Sequence, residues 1–543
     1  MALPRSVLFG SAPYHLSLWG PAPAEPAVRL SDPWPGDAER GNALLAGEFR
    51  LAGATLRGEP PPWTADVMHR APLLHDMLAA LHSFSWLDDI AASRAPEGWK
   101  KAAAWTTDWL ERCDAWDKIA WRADVTGDRL FAWLMHWSRL AADATLRRRL
   151  MASIARQMRH LDRIAAAEAP GVPRLQALRG LIAAAAACAA ERKLARALRK
   201  LARELDRQIL PDGGHAARSP KAQLAALVTL VDARAVLRAS ESEVPQALQS
   251  AIDRAAPMLR FFRHGDGRFA LFNGSDEGST ERIDLVLARA DAKGRAPLSA
   301  PHCGFQRLQA GRTLVLADAG APPPRGFDGA AHAGILSFEM SYARERLIVN
   351  CGGYDGANAQ WRVAARATAA HSTLIVADTN AGELRAEGGF ARAPRLLASE
   401  RADDNGAQWF RGSHDGYEPS FGLVHARQLF LAADGDDLRG EDRLTGRAGK
   451  AFAIRFHLHP LVQASLTQEG SAVLLRLPSG TGFRLRAQGA VMSLAESIYL
   501  GGGEPRKSQQ VVLDGHVGST GAEVKWALRR EGKKSADQGD PHA

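Results

Sequence analysis

The spacing of apolar residues changes once along this chain, near Pro297, and that change excludes most folds. From about Thr64 to Leu259 the apolar side chains recur at helical spacing. Leu194, Leu198, Leu201 and Leu205, with Arg and Lys between them, make the packed stripe of an amphipathic helix. Breaks fall at Pro96-Glu97-Gly98, Gly127, Pro170-Gly171, Pro211-Asp212-Gly213-Gly214 and Pro245, so the pattern predicts seven or more helices joined by short loops. Beyond Pro297, β-rich or alternating runs take over: Thr313–Ala317, Ile335–Tyr342, Leu347–Val349, Thr373–Val376, Val424–Leu431 and Ala472–Leu477. Helices first and strands second imply an α+β chain of two segregated domains, because an α/β sheet would interleave them.

At 543 residues the chain exceeds what one core sustains, and 46% hydrophobic with 24% charged residues is an ordinary globular composition. A net charge of +9 and a pI near 9.6 favour an anionic partner: glycan, nucleic acid or lipid. No RNP-type aromatic motif, zinc-finger spacing or Lys-rich arm accompanies that charge, so nucleic acid is not expected. Cys113, Cys188, Cys303 and Cys351 form no C-x-x-C spacing and read as free thiols. The ten-residue apolar run Leu181–Ala190 is too short to span a membrane and reads as a buried helix, so no membrane insertion is expected. Met1–Gly20 lacks the basic and apolar regions of a signal peptide. The expectation is a cytoplasmic protein as written, or a periplasmic or cell-envelope one if a signal lies upstream.

Two regions carry candidate chemistry. In Gln208-Ile-Leu-Pro-Asp-Gly-Gly-His-Ala-Ala-Arg-Ser-Pro220 a helix ends, turns on two glycines and restarts at Ser219-Pro220, with His215 and Arg218 on the turn. Paired glycines let backbone approach a ligand; a plain helix-turn-helix with a surface His is the competing reading. In the β half, Ala331-His-Ala-Gly-Ile-Leu-Ser-Phe-Glu-Met340, Leu347-Ile-Val-Asn-Cys-Gly-Gly-Tyr354 and Trp361-Arg-Val-Ala-Ala-Arg-Ala-Thr-Ala-Ala-His-Ser-Thr-Leu374 follow one another. Their order resembles the signature of the heparinase II/III polysaccharide lyases: a His-Ala-Asp strand start, an Asp-x-Gly-x-Tyr turn and an Arg-x-x-x-x-His-Asn-Thr segment. The Asp-Gly-Gly-His turn is similar to the same family's toroid motif.

The resemblance implies an N-terminal (α/α) toroid over 61–295, behind an extension at 1–60, and a C-terminal antiparallel β-sandwich over 296–531, with a flexible tail at 532–543. It also implies β-elimination on an acidic, uronate-containing polysaccharide: a base takes the proton at C5 while the glycosidic oxygen at C4 leaves, once the uronate carboxylate has been neutralised. Arg218 and His215 would neutralise it, with Arg366 and His264 as further substrate-binding groups. No cofactor is implied beyond the structural zinc of some family members, whose ligand positions are similar to His332, Asn350 and His371. The amide of Asn350 replaces a carboxylate, so zinc is expected to be weak or absent.

Other departures bear on catalysis. The family's toroid Tyr has no counterpart, since no Tyr lies between Tyr14 and Tyr342 and the corresponding stretch offers Phe261 and Phe262. The family's His two residues before the His-Ala-Asp motif is Ala330 here. The acid and base would therefore come from His215, His264, Tyr354, His414 or Tyr417, the last two in Ser413-His-Asp-Gly-Tyr417. Trp86, Trp99, Trp105, Trp109, Trp116, Trp121, Trp133 and Trp137 read either as sugar platforms or, from the i, i+4 pairs, as core. Two rivals to the lyase remain: an anionic-glycan-binding protein that has lost turnover, and a hydrolase using a carboxylate pair from Asp88, Asp89, Asp212 and Asp266.

Overall fold

The computed structural model describes residues 5–64, 72–168, 170–356, 358–467 and 470–532. The expected flexible tail, from residue 533 onward, lies outside them. The chain divides into two compact units: Met1–Gln208 with Ala225–Asp253 and Asp355–Ala359, and Ile209–Leu224 with Arg254–Tyr354 and Gln360–Ala543. That division differs from a single boundary at 295/296. The Gly-Gly turn and residues 254–295 group with the strands, for reasons the site makes clear below. The described part of the expected N-terminal extension belongs to the helical unit, where Tyr14 Oη hydrogen-bonds His160 Nδ1 at 2.7 Å and Trp34 Nε1 donates to Asp232 at 2.8 Å.

The helical unit is built as its periodicity predicts. Asp143 caps Ala144–Ile164 by accepting from Thr145 N and Leu146 N. Val172–Ala187, buried from Leu175 onward apart from Gln176, holds the apolar run as far as Ala187, after which the helix ends and Cys188–Ala190 are partly or fully exposed. Gly127 is not a break. It lies inside Ala123–Met135, where a Cβ would meet Gln176 O at 2.4 Å, and Gly180 on the facing helix approaches Gly127 just as closely. Trp86, Trp105, Trp109, Trp121, Trp133 and Trp137 are at most 6% exposed, so this run is core. At its centre the buried Arg129 stacks 4.4 Å from the Trp109 ring and donates to His82 O, Ala120 O and Gln157 Oε1. Among the described residues no helix is long and apolar enough to cross a membrane.

All six expected strands are present, with ends displaced by at most a few residues. They belong to two antiparallel sheets. One has eight strands, in the spatial order Leu396–Asp404, Ala407–Tyr417, Leu423–Leu431, Asp437–Gly446, Ala522–Arg530, Gly482–Gln488, Ala472–Arg476, Gln463–Thr467. The other, of nine, runs from Val491–Tyr499 through Arg506–His516, Ala451–Leu458, Glu345–Val349, Phe338–Tyr342 and Thr313–Asp318 to Phe305–Ala310 and Ser299–Ala300, with Leu374–Val376 also pairing Ala451–Leu458. One apolar core draws on both, for example Phe338, Leu347 and Phe456 from the second and Leu429, Leu438, Leu485 and Trp526 from the first. Alternate residues face that core, as period two requires. The four cysteines are free thiols.

Candidate functional site

Apart from Asp88, Asp89 and the tryptophans, every residue singled out for catalysis, substrate binding or metal ligation falls in the β-containing unit. After Gln208 the chain turns so that Ile209 bridges His215. Gly213 has φ +87°, and a Cβ there would lie 2.0 Å from Arg254 O; one on Gly214 would lie 2.4 Å from Cys303 Cβ. The two glycines admit the protein's own neighbours. His215 is 1% exposed, its N–H donates to Gln223 Oε1, and its Nδ1 accepts from Ala217 N at 3.1 Å. The neutral ring therefore carries its proton on Nε2, and burial lowers its pKa to about 4. An imidazole that stays neutral offers no cation to a uronate, which corrects the expectation for His215.

Arg218 is corrected more sharply. Nε donates to Cys303 O at 2.6 Å, Nη1 to Ala321 O at 2.6 Å, and Nη2 to Gly304 O at 2.9 Å and to Asp318 Oδ1 at 2.5 Å. Its side chain is 6% exposed and that of Asp318 is 7%. The guanidinium ties the turn to residues 303–321. Arg366 acts in the same way: its three nitrogens donate to Ala331 O, Arg385 O and Gly389 O. His264 is buried between Ser341 Oγ at 2.9 Å and Glu339 Oε2 at 3.0 Å, and the other Glu339 oxygen accepts from Leu271 N and Asn350 N. All three expected substrate-binding groups are spent on the fold.

His332 and His371 do meet. Their Nδ1 and Nε2 atoms are 3.1 Å apart, so one ring donates to the other, and both rings are buried. Asn350 Oδ1 accepts from Ser372 N, while its buried Nδ2 has no hydrogen-bond partner. A zinc site needs a lone pair from every ligand. Here two imidazoles share a proton, the amide oxygen is engaged, and the amide nitrogen is a donor with no lone pair to give. Among the described residues no group of three or more His, Cys, Asp or Glu is placed to hold a metal ion. With an amide standing where the family has a carboxylate, the three side chains are a weaker donor set for zinc than two imidazoles and a carboxylate would be.

The proton carriers from the sandwich are buried as well. A register shift between His414 and Tyr417 turns both inward although they are three residues apart. Tyr417, 0% exposed, donates to Leu374 O at 2.8 Å, and burial pushes its phenol far above the usual range. His414 Nδ1 accepts from Gly416 N, so its Nε2–H points at His425 Nδ1, 3.1 Å away, and His425 Nε2 in turn donates to Asp442 at 2.8 Å. Asp442 also receives Arg427 Nε, Arg427 Nη2 and Trp526 Nε1. This core ion pair was missed in the sequence, although period two places Asp442 on the inward face with Leu438 and Leu444. Of the five acid and base candidates only Tyr354 is partly exposed, its ring 6.4 Å from that of Trp361.

The hydrolase carboxylates are committed too. Asp88 pairs with His136, Asp89 takes Arg40 and Asp37 N, Asp212 accepts from Gly214 N and Cys303 N, and Asp266 binds Arg346.

A helical N-terminal region followed by stacked antiparallel sheets is the architecture of the toroid-and-sandwich polysaccharide lyases. Crystallised heparinase III shares it with a TM-score of 0.69 at 14% identity, covering 88% of this chain and 80% of that one. The heparan sulfate lyase of Pedobacter heparinus gives 0.62 at 15% identity, covering 92% and 83%. At such identities the likeness is one of fold. A family model for heparinase II/III-like C-terminal domains matches residues 292–527, and FtsZ-localized protein C of Caulobacter vibrioides is 36% identical over 555 residues, 96% of this chain and 93% of that protein. The chain belongs to the heparinase II/III-like family.

Proposed function

We propose that this chain is a non-catalytic member of the family, which keeps the lyase fold to hold an anionic glycan without cleaving it and, like its Caulobacter relative, localises with FtsZ. The observation that carries this reading is the commitment of Arg218: four of its five N–H donors are bonded to three carbonyls and Asp318, and its side chain is only 6% exposed, so the residue cast as the carboxylate neutraliser is held by the fold. The net charge of +9 supports an anionic partner. The competing lyase reading rests on Tyr354, the catalytic candidate that retains exposure.

The test is to incubate the full chain with heparan sulfate, heparin, hyaluronan, chondroitin, alginate and glucuronan, following the ultraviolet absorbance of the unsaturated uronate that β-elimination leaves. The expected result is a flat trace with binding detectable by calorimetry, and a fluorescent fusion that gathers where FtsZ does. An absorbance rise abolished by Tyr354→Phe would overturn the reading in favour of a lyase.

A further inference from the structure

The solvent-facing side of the eight-stranded sheet carries an open trough of about 520 Å³. Its form follows from register. Across Leu423–Leu431, Asp437–Gly446, Ala522–Arg530 and Gly482–Gln488, Phe430 stands opposite Arg439, Arg439 opposite Ala527, and Ala527 opposite Arg486. The next outward row is Gln428, Glu441, Lys525 and Gln488. The intervening residues, including Leu429, Leu438, Leu485 and Leu528, are buried in the core. Ala527 is the small residue of its row, and long side chains on the strands to either side of it make the walls, about 10 Å apart at two strand spacings.

The lining is positive. Arg439, Arg486, Lys525 and Arg529 line it with one carboxylate, Glu441, while Glu523 at its margin pairs Lys525 at 2.8 Å. Arg439 and Arg529 share Asp437 at 2.8 and 3.1 Å, with side chains 54% and 61% exposed. Exposed pairs of this kind contribute little, so an incoming anion can compete for the guanidinium groups. Phe430 supplies an aromatic ring at one end of the row, with Arg439 Cζ 5.8 Å from its centroid.

We propose that this trough is an anionic-oligosaccharide site, distinct from the family's motif residues. This inference rests on the reading of the protein as an anionic-glycan binder and gives that reading a location. The groups match an acidic sugar: guanidinium forks for carboxylate or sulfate, the Gln428 and Gln488 amides for hydroxyls, Phe430 for the apolar face of a ring, and the space over Ala527 for the ring itself. An acidic peptide fits less well. Peptides are commonly captured by pairing with a free strand edge, whereas these four strands are paired within the sheet and offer side chains alone.

Calorimetry on the full chain, with size-defined heparan sulfate and oligogalacturonate fragments at low and at physiological salt, tests the proposal. Compared with the parent are Arg439→Ala/Arg486→Ala, which removes the forks, and Ala527→Trp, which fills the trough without changing charge; both substitutions point to solvent, and unchanged melting confirms the fold. The expected result is parent binding that weakens with salt, at least tenfold weaker in each variant. Parent binding with both variants equal to it overturns the trough while leaving glycan binding intact. No binding by the parent to any fragment overturns both. Poly-glutamate that binds as tightly as the glycans, and loses as much in the variants, overturns the assignment to sugar.

Discussion

Replacing Arg218 with alanine separates a structural arginine from a substrate-binding one. The change removes four hydrogen bonds, three of them to the backbone carbonyls of Cys303, Gly304 and Ala321, and leaves the Asp318 carboxylate buried beside only the Gly320 N–H at 3.3 Å. Breaking one side of a buried ion pair costs roughly 3–5 kcal/mol. Because water cannot easily reach the stranded carbonyls, the upper half of that range applies, about 4 kcal/mol. At about 2 °C per kcal/mol for a unit of this size, the melting temperature should fall by roughly 8 °C. Arg218→Lys keeps a charge near Asp318 but cannot reproduce the fork, and should fall between parent and alanine. The assay is a thermal melt followed by calorimetric titration with heparan sulfate at a temperature where every variant is folded. A substrate-binding arginine predicts the reverse pattern. If Arg218→Ala melts within about 2 °C of the parent yet loses tenfold or more in glycan affinity, the structural assignment is refuted.

Burial holds His215 at about 4, His457 at about 3 and His414 well below its ordinary value, so the fold keeps these rings neutral while the unfolded chain titrates near the ordinary histidine value. Their contribution is complete above about pH 6.5 and is lost as pH falls toward 4, by up to about 1.4 kcal/mol per pH unit per ring; the urea midpoint should drop between pH 7 and 5, and a constant midpoint would contradict the burial argument. Asn350→Asp places a carboxylate near the His332 and His371 pair and should convert a chain that purifies with little zinc into one that retains a stoichiometric ion by elemental analysis; stoichiometric zinc in the parent, lost in His371→Ala, would show that the amide suffices.

Much of the fold was legible because periodicity reports burial directly. The six strand runs survive with small end shifts, and the i, i+4 tryptophans form the helical core. Gly127 was misread because a glycine inside a helical pattern looks the same whether it ends the helix or admits a neighbouring backbone; only Gly180 on the facing helix distinguishes the two. The site was less legible for a related reason. A polar residue in a motif announces that it needs partners, not where they come from. Arg218 finds Cys303 O 85 residues away, Asp318 at 100 and Ala321 at 103, all beyond any local pattern. The inward turn of Tyr417 depended on a register shift that its sequence does not announce.

The motif residues sort by the kind of work they do. Those that persist, His215, Arg218, Arg366 and the His332 and His371 pair, all have a structural task in this chain: closing a turn, bracing a strand or clamping a loop. Those that differ from the resemblance, the phenol replaced by Phe261 or Phe262, the imidazole replaced by Ala330 and the carboxylate replaced by Asn350, would have moved a proton or held a metal. A chain under a requirement to fold but under none to turn over would show this division, because removing Arg218 strands a buried carboxylate whereas Phe in place of Tyr leaves the packing of Phe261 and Phe262 against each other and Phe305 undisturbed. The presence of the family's motif is therefore evidence about the fold, and the chemistry has to be judged from which donors remain open to a ligand. On that criterion the solvent-facing arginines over Ala527 are better placed to meet an anion than the buried guanidinium of Arg218.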